Sequence, residues 1–123
     1  MTAMYLWFNA ALYAVFALWC TLRHEHTARA AGFAWAEPSG HSEYLVVYGG
    51  LQLGLAMFYA YLAHQTQLHR TGLVFSLMLY APIVAYRIAT VFLYGPVNTV
   101  TKVVAVLELA LLLAALLLYL RTR

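Results

Sequence analysis

Four apolar stretches, each long enough to cross a lipid bilayer, constrain this chain more than any other feature of its sequence. They run approximately over residues 4–22, 44–63, 73–94 and 99–120. About 20 residues wound as a helix span the ~30 Å hydrocarbon core of a membrane. Helix is the expected form, because unpaired backbone groups are costly in lipid and the chain lacks the alternating strands of a barrel.

The amino-acid composition also indicates a protein whose surface contacts lipid. The 123 residues are 65% hydrophobic and 9% charged, whereas a soluble domain carries about a quarter charged residues. The net charge of +3 comes from scattered residues with no basic run, which argues against nucleic acid as a partner. We expect a multi-pass integral membrane protein in direct contact with membrane lipid.

The connections predict how the helices are arranged. Residues 64–72 form a short polar link, and residues 95–98 form a Gly-Pro turn with Asn98 or Thr99 as the N-cap of the last helix. Short links make sequential helices antiparallel neighbours. The predicted fold class is therefore all-α: one domain over residues 1–123, folded as an up-down four-helix bundle with an interfacial loop over residues 23–43.

We call the membrane side with this loop and the Gly-Pro turn the loop face, and the side with both termini the terminus face. Lys and Arg are spread evenly over the two faces. The positive-inside rule therefore leaves the orientation open.

Two charges lie well inside the apolar stretches at similar depth. Arg87 is ~10 Å and Glu108 ~14 Å from the loop face at 1.5 Å per helical residue. A charge facing lipid at this depth costs a few kcal/mol. We therefore predict an ion pair inside the bundle, and we favour a functional role over a purely structural one.

Helical spacing places further polar groups near this pair. The second helix carries a stripe of Tyr44, Tyr48, Gln52, Leu55 and Tyr59, the third carries Ser76, Tyr80, Ile83, Arg87, Thr90 and Tyr94, and the fourth carries Thr101, Ala105 and Glu108. We expect these stripes to face the interior. The deep tyrosines Tyr48, Tyr80 and Tyr86 should find hydroxyl partners such as Arg87, Gln52, Glu108 or a bound ligand.

Gly50 and Gly54 form a Gly-x-x-x-Gly pair on the second helix. Small residues at this spacing let membrane helices approach closely. We expect packing within the chain, in preference to a dimer face or room for a ligand.

Histidines and acids gather near the loop face, namely His24, Glu25, His26, His41 and Glu43. A Zn or Fe site is conceivable there, but no His-x-x-x-His or Glu-x-x-His spacing sets ligands on one helix face. We favour solvated histidines and predict neither a metal nor another cofactor.

The segment from Glu43 to Gly54 resembles the signature of a bacterial four-helix membrane family named only as domain of unknown function 4345. Members have an acid a few residues before Tyr-Gly-Gly, followed by Leu-x-Leu-Gly. Arg87, the Gly95-Pro96 turn and the Leu107-Glu108 pair resemble the second half of that family. The resemblance implies four helices, a bacterial inner membrane and no established activity. More distantly, the chain resembles DoxX-like proteins, some of which serve quinone-linked redox complexes.

The leading hypothesis is a binding protein or accessory subunit for a small lipophilic molecule such as a lipid, quinone or isoprenoid. Its ligand would contact Arg87, Glu108, Gln52, Tyr48, Tyr80 and Tyr94. The first alternative is an enzyme in which Glu108 or Glu43 acts as acid/base and Arg87 stabilises developing negative charge. A proton-coupled transporter is disfavoured in so small a chain. The last alternative is a structural subunit of a larger membrane complex or of a homo-oligomer.

Overall fold

The computed structural model describes residues 1–122, which are helical over most of their length. The helices are α1 (Thr2–Leu22), α2 (His24–Ala30), α3 (Ser39–Leu45), α4 (Gln52–His64), α5 (His69–Tyr94) and α6 (Thr99–Arg121). A π-helical segment, Val46–Leu51, joins α3 to α4, and a 3-10 turn, Thr66–Leu68, precedes α5. α1, α6 and the continuous stretches Ser39–His64 and Thr66–Tyr94 are each long and apolar enough to cross a membrane. The predicted all-α, four-helix class is confirmed, and the chain is a multi-pass membrane protein.

Contacts at the two ends of the bundle establish its antiparallel order. Arg70, at the start of α5, donates to the Thr122 carbonyl at 3.2 Å and lies 4.9 Å from the centre of the Tyr119 ring. At the other end, the Asn98 amide donates to the Ala30 carbonyl at 3.0 Å. The α4–α5 link therefore lies beside the end of α6, and the Gly-Pro turn lies beside the interfacial loop.

Two of the four spanning stretches begin earlier in the chain than predicted. The second spanning stretch begins at Ser39 and the third at Thr66. The predicted loop of residues 23–43 also contains the helix α2. Polar residues extend these helices beyond the apolar windows, because helix ends in the interface are hydrated. Asn98 is the N-cap of α6, with Oδ1 accepting from the Thr101 amide at 2.9 Å.

The main core lies towards the terminus face and is formed by α1, α4, α5 and α6. Its fully buried large residues are Leu6, Tyr59, Leu62, Leu73 and Tyr80. A smaller core lies under the interfacial loop, where Cys20, Ala28 and Tyr44 are buried against partly buried Phe16, Trp35 and Tyr48.

The glycine prediction was wrong. A Cβ added to Gly50 or Gly54 would meet no atom within 4 Å, whereas one added to Gly72 would lie 2.8 Å from Leu6 Cδ2 and one added to Gly49 would lie 2.8 Å from Thr21 Oγ1. At about 100° per residue, positions two apart point in nearly opposite directions. Gly50 and Gly54 therefore turn outward when the stripe of Tyr48 and Gln52 turns inward.

Candidate functional site

The predicted pair of Arg87 and Glu108 is present and bidentate. Arg87 Nε donates to Glu108 Oε2 at 2.9 Å, and Arg87 Nη2 donates to Oε1 at 2.7 Å. Two parallel charge-assisted bonds fix the guanidinium and the carboxylate in one plane. The pair bridges α5 and α6 within the membrane-spanning part of the bundle.

The tight turn between α5 and α6 explains why these two side chains meet. The helices leave residues 95–98 in antiparallel directions, so positions equally far from the turn lie at equal depth. Pro82 lies inside α5, a little more than one turn before Arg87. A proline there cannot donate its backbone hydrogen bond.

The pair predicted inside the bundle is partly open. The Arg87 side chain is 32% exposed and that of Glu108 is 14% exposed. Nε and Nη2 of Arg87 bond to Glu108, and Nη1 has no hydrogen-bond partner among residues 1–122. One donor nitrogen of the guanidinium is therefore free for another acceptor.

Two tyrosines from other helices lie within electrostatic range of the pair. Tyr48, in the π-helical segment, is half-buried and lies within electrostatic range of both Arg87 and Glu108. Tyr13 of α1 is also half-buried, lies within range of Glu108 and stacks on Tyr59 with ring centres 5.8 Å apart. The surroundings of the pair therefore include tyrosines of α1 and of the π-helical segment as well as α5 and α6.

The remaining predicted site residues divide into near and distant groups. Gln52 is half-buried at the start of α4, one turn after Tyr48. Tyr80 is fully buried, and its hydroxyl donates to Asn9 Oδ1 at 2.6 Å rather than to one of the predicted partners. Tyr94 is 77% exposed at the end of α5, and Glu43 is exposed in α3. Beyond Arg87, the predicted inward stripe of α5 turns outward, since Thr90 is exposed as well.

Sequence reasoning missed Asn9 and Tyr13, both on α1. Asn9 is the only Asn in the first apolar stretch and is fully buried. A buried amide in a membrane helix needs hydrogen-bond partners, and this was the signal that could have found it.

A shallow apolar groove of about 350 Å³ lies on the surface of α5. It is lined by Met78, Leu79, Pro82, Ile83 and Tyr86. Ile83 precedes Arg87 by one helical turn on the same face. The apolar surface of this groove therefore begins one helical turn from the residue that carries the guanidinium.

Comparison with known proteins gives a family but no characterised relative. A family model described as a domain of unknown function (DUF4345) matches residues 1–119. No curated protein and no solved structure matches the chain.

Proposed function

This chain belongs to the DUF4345 family, whose description assigns no activity. From the geometry of its intramembrane site, we propose that it binds a small lipophilic ligand as a binding protein or accessory subunit. The observation that carries the proposal is the partly open Arg87–Glu108 pair. The bidentate contact uses Nε and Nη2 of Arg87 and leaves Nη1 outside it, so this donor can serve a ligand while the ion pair stays intact.

The head group of the ligand follows from the charges at the site. Arg87 and Glu108 neutralise each other, so a second full negative charge would compete with Glu108 for the guanidinium. A head group with an oxygen acceptor, such as a quinone carbonyl or an isoprenoid alcohol, would accept from Arg87 Nη1 without breaking the pair. The Tyr48 hydroxyl would provide a second hydrogen bond, and Gln52 lies one turn further along.

The apolar part of the ligand would lie along α5. The groove at Pro82 and Ile83 is apolar and opens on to the surface of the bundle. A ligand with a flexible chain could enter it sideways from the bilayer. In a bacterial cell this bilayer would be the inner membrane.

Binding is better supported than proton transfer. An enzyme that used Glu108 as acid/base would need that carboxylate to exchange a proton with its substrate. Both Glu108 oxygens accept hydrogen bonds from Arg87, which ties the carboxylate to its partner. Glu43 is exposed in α3 and has no hydrogen bond to the pair.

Mass spectrometry of the purified protein tests the proposal. The chain purified in mild detergent should release one amphiphile that is enriched over the bulk membrane lipids. Tyr48→Phe should retain about 2- to 10-fold less of it, because a neutral hydrogen bond contributes about 0.5–1.5 kcal/mol. Tyr61→Phe is the matched control, since Tyr61 is 55% exposed in the second half of α4.

Three results would refute ligand binding at this site. These are no enriched molecule, equal enrichment in Tyr48→Phe and wild type, or equal losses in Tyr48→Phe and Tyr61→Phe. A tightly copurifying protein without any enriched amphiphile would instead identify a structural subunit.

A further inference from the structure

The loop face brings together three side chains that can donate to a metal ion. Nε2 of His24 and Nδ1 of His41 are 3.2 Å apart, and one ligand atom from each of His24, Glu25 and His41 lies within 4.8 Å of the others. His24 and Glu25 begin α2, whereas His41 lies in α3. The fold of the interfacial loop, rather than a short sequence motif, therefore creates the cluster.

The separation of the two nitrogens suits a tetrahedral ion. Zn–N bonds are 2.0–2.1 Å long, so an ion equidistant from nitrogens 3.2 Å apart would subtend an angle of about 103°. The ideal tetrahedral angle is about 109°. The same two nitrogens share one hydrogen bond in this structure, and a bound ion would replace it.

The third ligand needs only a side-chain adjustment. Glu25 is exposed, so its carboxylate can rotate towards the imidazoles without disturbing packed neighbours. Two His and one Glu, with water in the fourth position, is a ligand set that zinc proteins use. Arg23 and Arg29 nearby are exposed, so water and salt screen their charges.

Aromatic packing holds the two imidazoles in place. The Trp35 ring lies 4.3 Å from His41 and 6.4 Å from His24, measured between ring centres. Gly40 permits this approach, because a Cβ there would lie 3.2 Å from Trp35 Cε3. Both histidines are half-buried, in contrast to the solvated side chains expected from the sequence.

We propose that His24, Glu25 and His41 bind one divalent transition-metal ion of the Zn²⁺ type. The ion ties α2 to α3 and so fastens the interfacial loop over the smaller core of Cys20, Ala28 and Tyr44. This site is separate from the Arg87–Glu108 pair and does not depend on the ligand proposed there.

Metal titration of the chelator-stripped full chain in detergent tests this site. Calorimetry with Zn²⁺ and visible absorption with Co²⁺ should both report one tightly bound ion per chain. His24→Gln and His41→Gln should each weaken binding by about 100-fold or more, and Glu25→Gln by at least about 10-fold, because losing a ligand should cost no less than the roughly 10- to 100-fold that losing a group behind a ligand costs. His26→Gln is the matched control, because His26 is an exposed histidine two residues from His24, and it should bind as the wild type does.

Thermal unfolding separates the loss of metal binding from any loss of packing that a substitution causes, because each variant is compared with and without Zn²⁺. Zn²⁺ should raise the Tm of wild type and of His26→Gln, and it should leave the Tm of His24→Gln unchanged even if that variant is less stable without metal. The proposal is overturned if the wild type binds no stoichiometric ion. It is also overturned if His24→Gln and His41→Gln both bind as tightly as His26→Gln.

Discussion

The polar groups near the terminus face and those at the α5–α6 end near the loop face differ in how deeply they are buried. Near the terminus face, Asn9 donates to the Tyr5 carbonyl at 2.9 Å and accepts from Tyr80 at 2.6 Å, and the Tyr59 and Ser76 hydroxyls share a bond of 2.9 Å. These polar side chains are buried and satisfied. At the α5–α6 end, the strongest polar contact is the partly exposed Arg87–Glu108 pair.

The burial of apolar side chains also differs between the two ends of the bundle, as α5 shows. The buried residues of α5 are Gly72, Leu73, Ser76 and Tyr80, all in its first half. The second half instead exposes Tyr86, Ile88, Phe92, Leu93 and Tyr94. The first half of α5 is therefore packed among the other helices, whereas its second half carries the partly open pair.

The largest effect should come from overfilling the core around the packed first half of α5. Gly72→Leu should lower the free energy of unfolding by about 3 kcal/mol, because its side chain would collide with fully buried Leu6. Gly54→Leu is the control and should cost nothing, since a Cβ there meets open space. Unfolding in mixed detergent–SDS micelles measures both. Equal losses would remove the distinction between the packed and outward glycines.

Breaking the ion pair should have the second-largest effect on stability. Removing one partner of a fully buried pair costs about 3–5 kcal/mol, and the partial exposure of Arg87 reduces the expected loss for Arg87→Met or Glu108→Leu to about 2–3 kcal/mol. The double variant should recover much of this loss, because neither charge is left alone. Strictly additive losses in the same unfolding assay would contradict the observed contact.

The smallest effect should come from the polar contact between α1 and α5. Asn9→Ala and Tyr80→Phe should each cost about 1–2 kcal/mol, because each leaves a buried partner without its hydrogen bond. Tyr86→Phe is a suitable control, since Tyr86 is 75% exposed. A double-mutant cycle should show that the two losses are not additive. Additivity would mean that Asn9 and Tyr80 are not coupled.

The Arg87–Glu108 contact could be predicted because it depends only on the depth of each charge and on the tight turn that joins the two helices. Two charges at equal depth on helices joined by a tight turn have little choice of partner, and lipid penalises every alternative. The openness of the pair could not be predicted in this way. It depends on which side chains of the other helices pack over the second half of α5, which hydropathy does not report.

The glycine error came from a conflict within the sequence that helical geometry alone could have revealed. Gly50 and Gly54 each follow an inward residue, Tyr48 and Gln52, by two positions, or about 200° of rotation. The two glycines and the two polar residues therefore cannot all face the interior. The contact of His24 with His41 lay beyond such reasoning, because it requires the conformation of the loop between α2 and α3.

The most direct test of the binding account is the amphiphile retained by a folded protein without the pair. The Arg87→Met, Glu108→Leu double variant should unfold near the wild-type midpoint and yet lose the molecule that copurifies with the wild type. Arg70→Met is the control, because Arg70 contacts Tyr119 and Thr122 at the terminus face, and it should keep that molecule. A folded double variant that retains the amphiphile at the wild-type level would contradict the account and leave the pair as architecture alone.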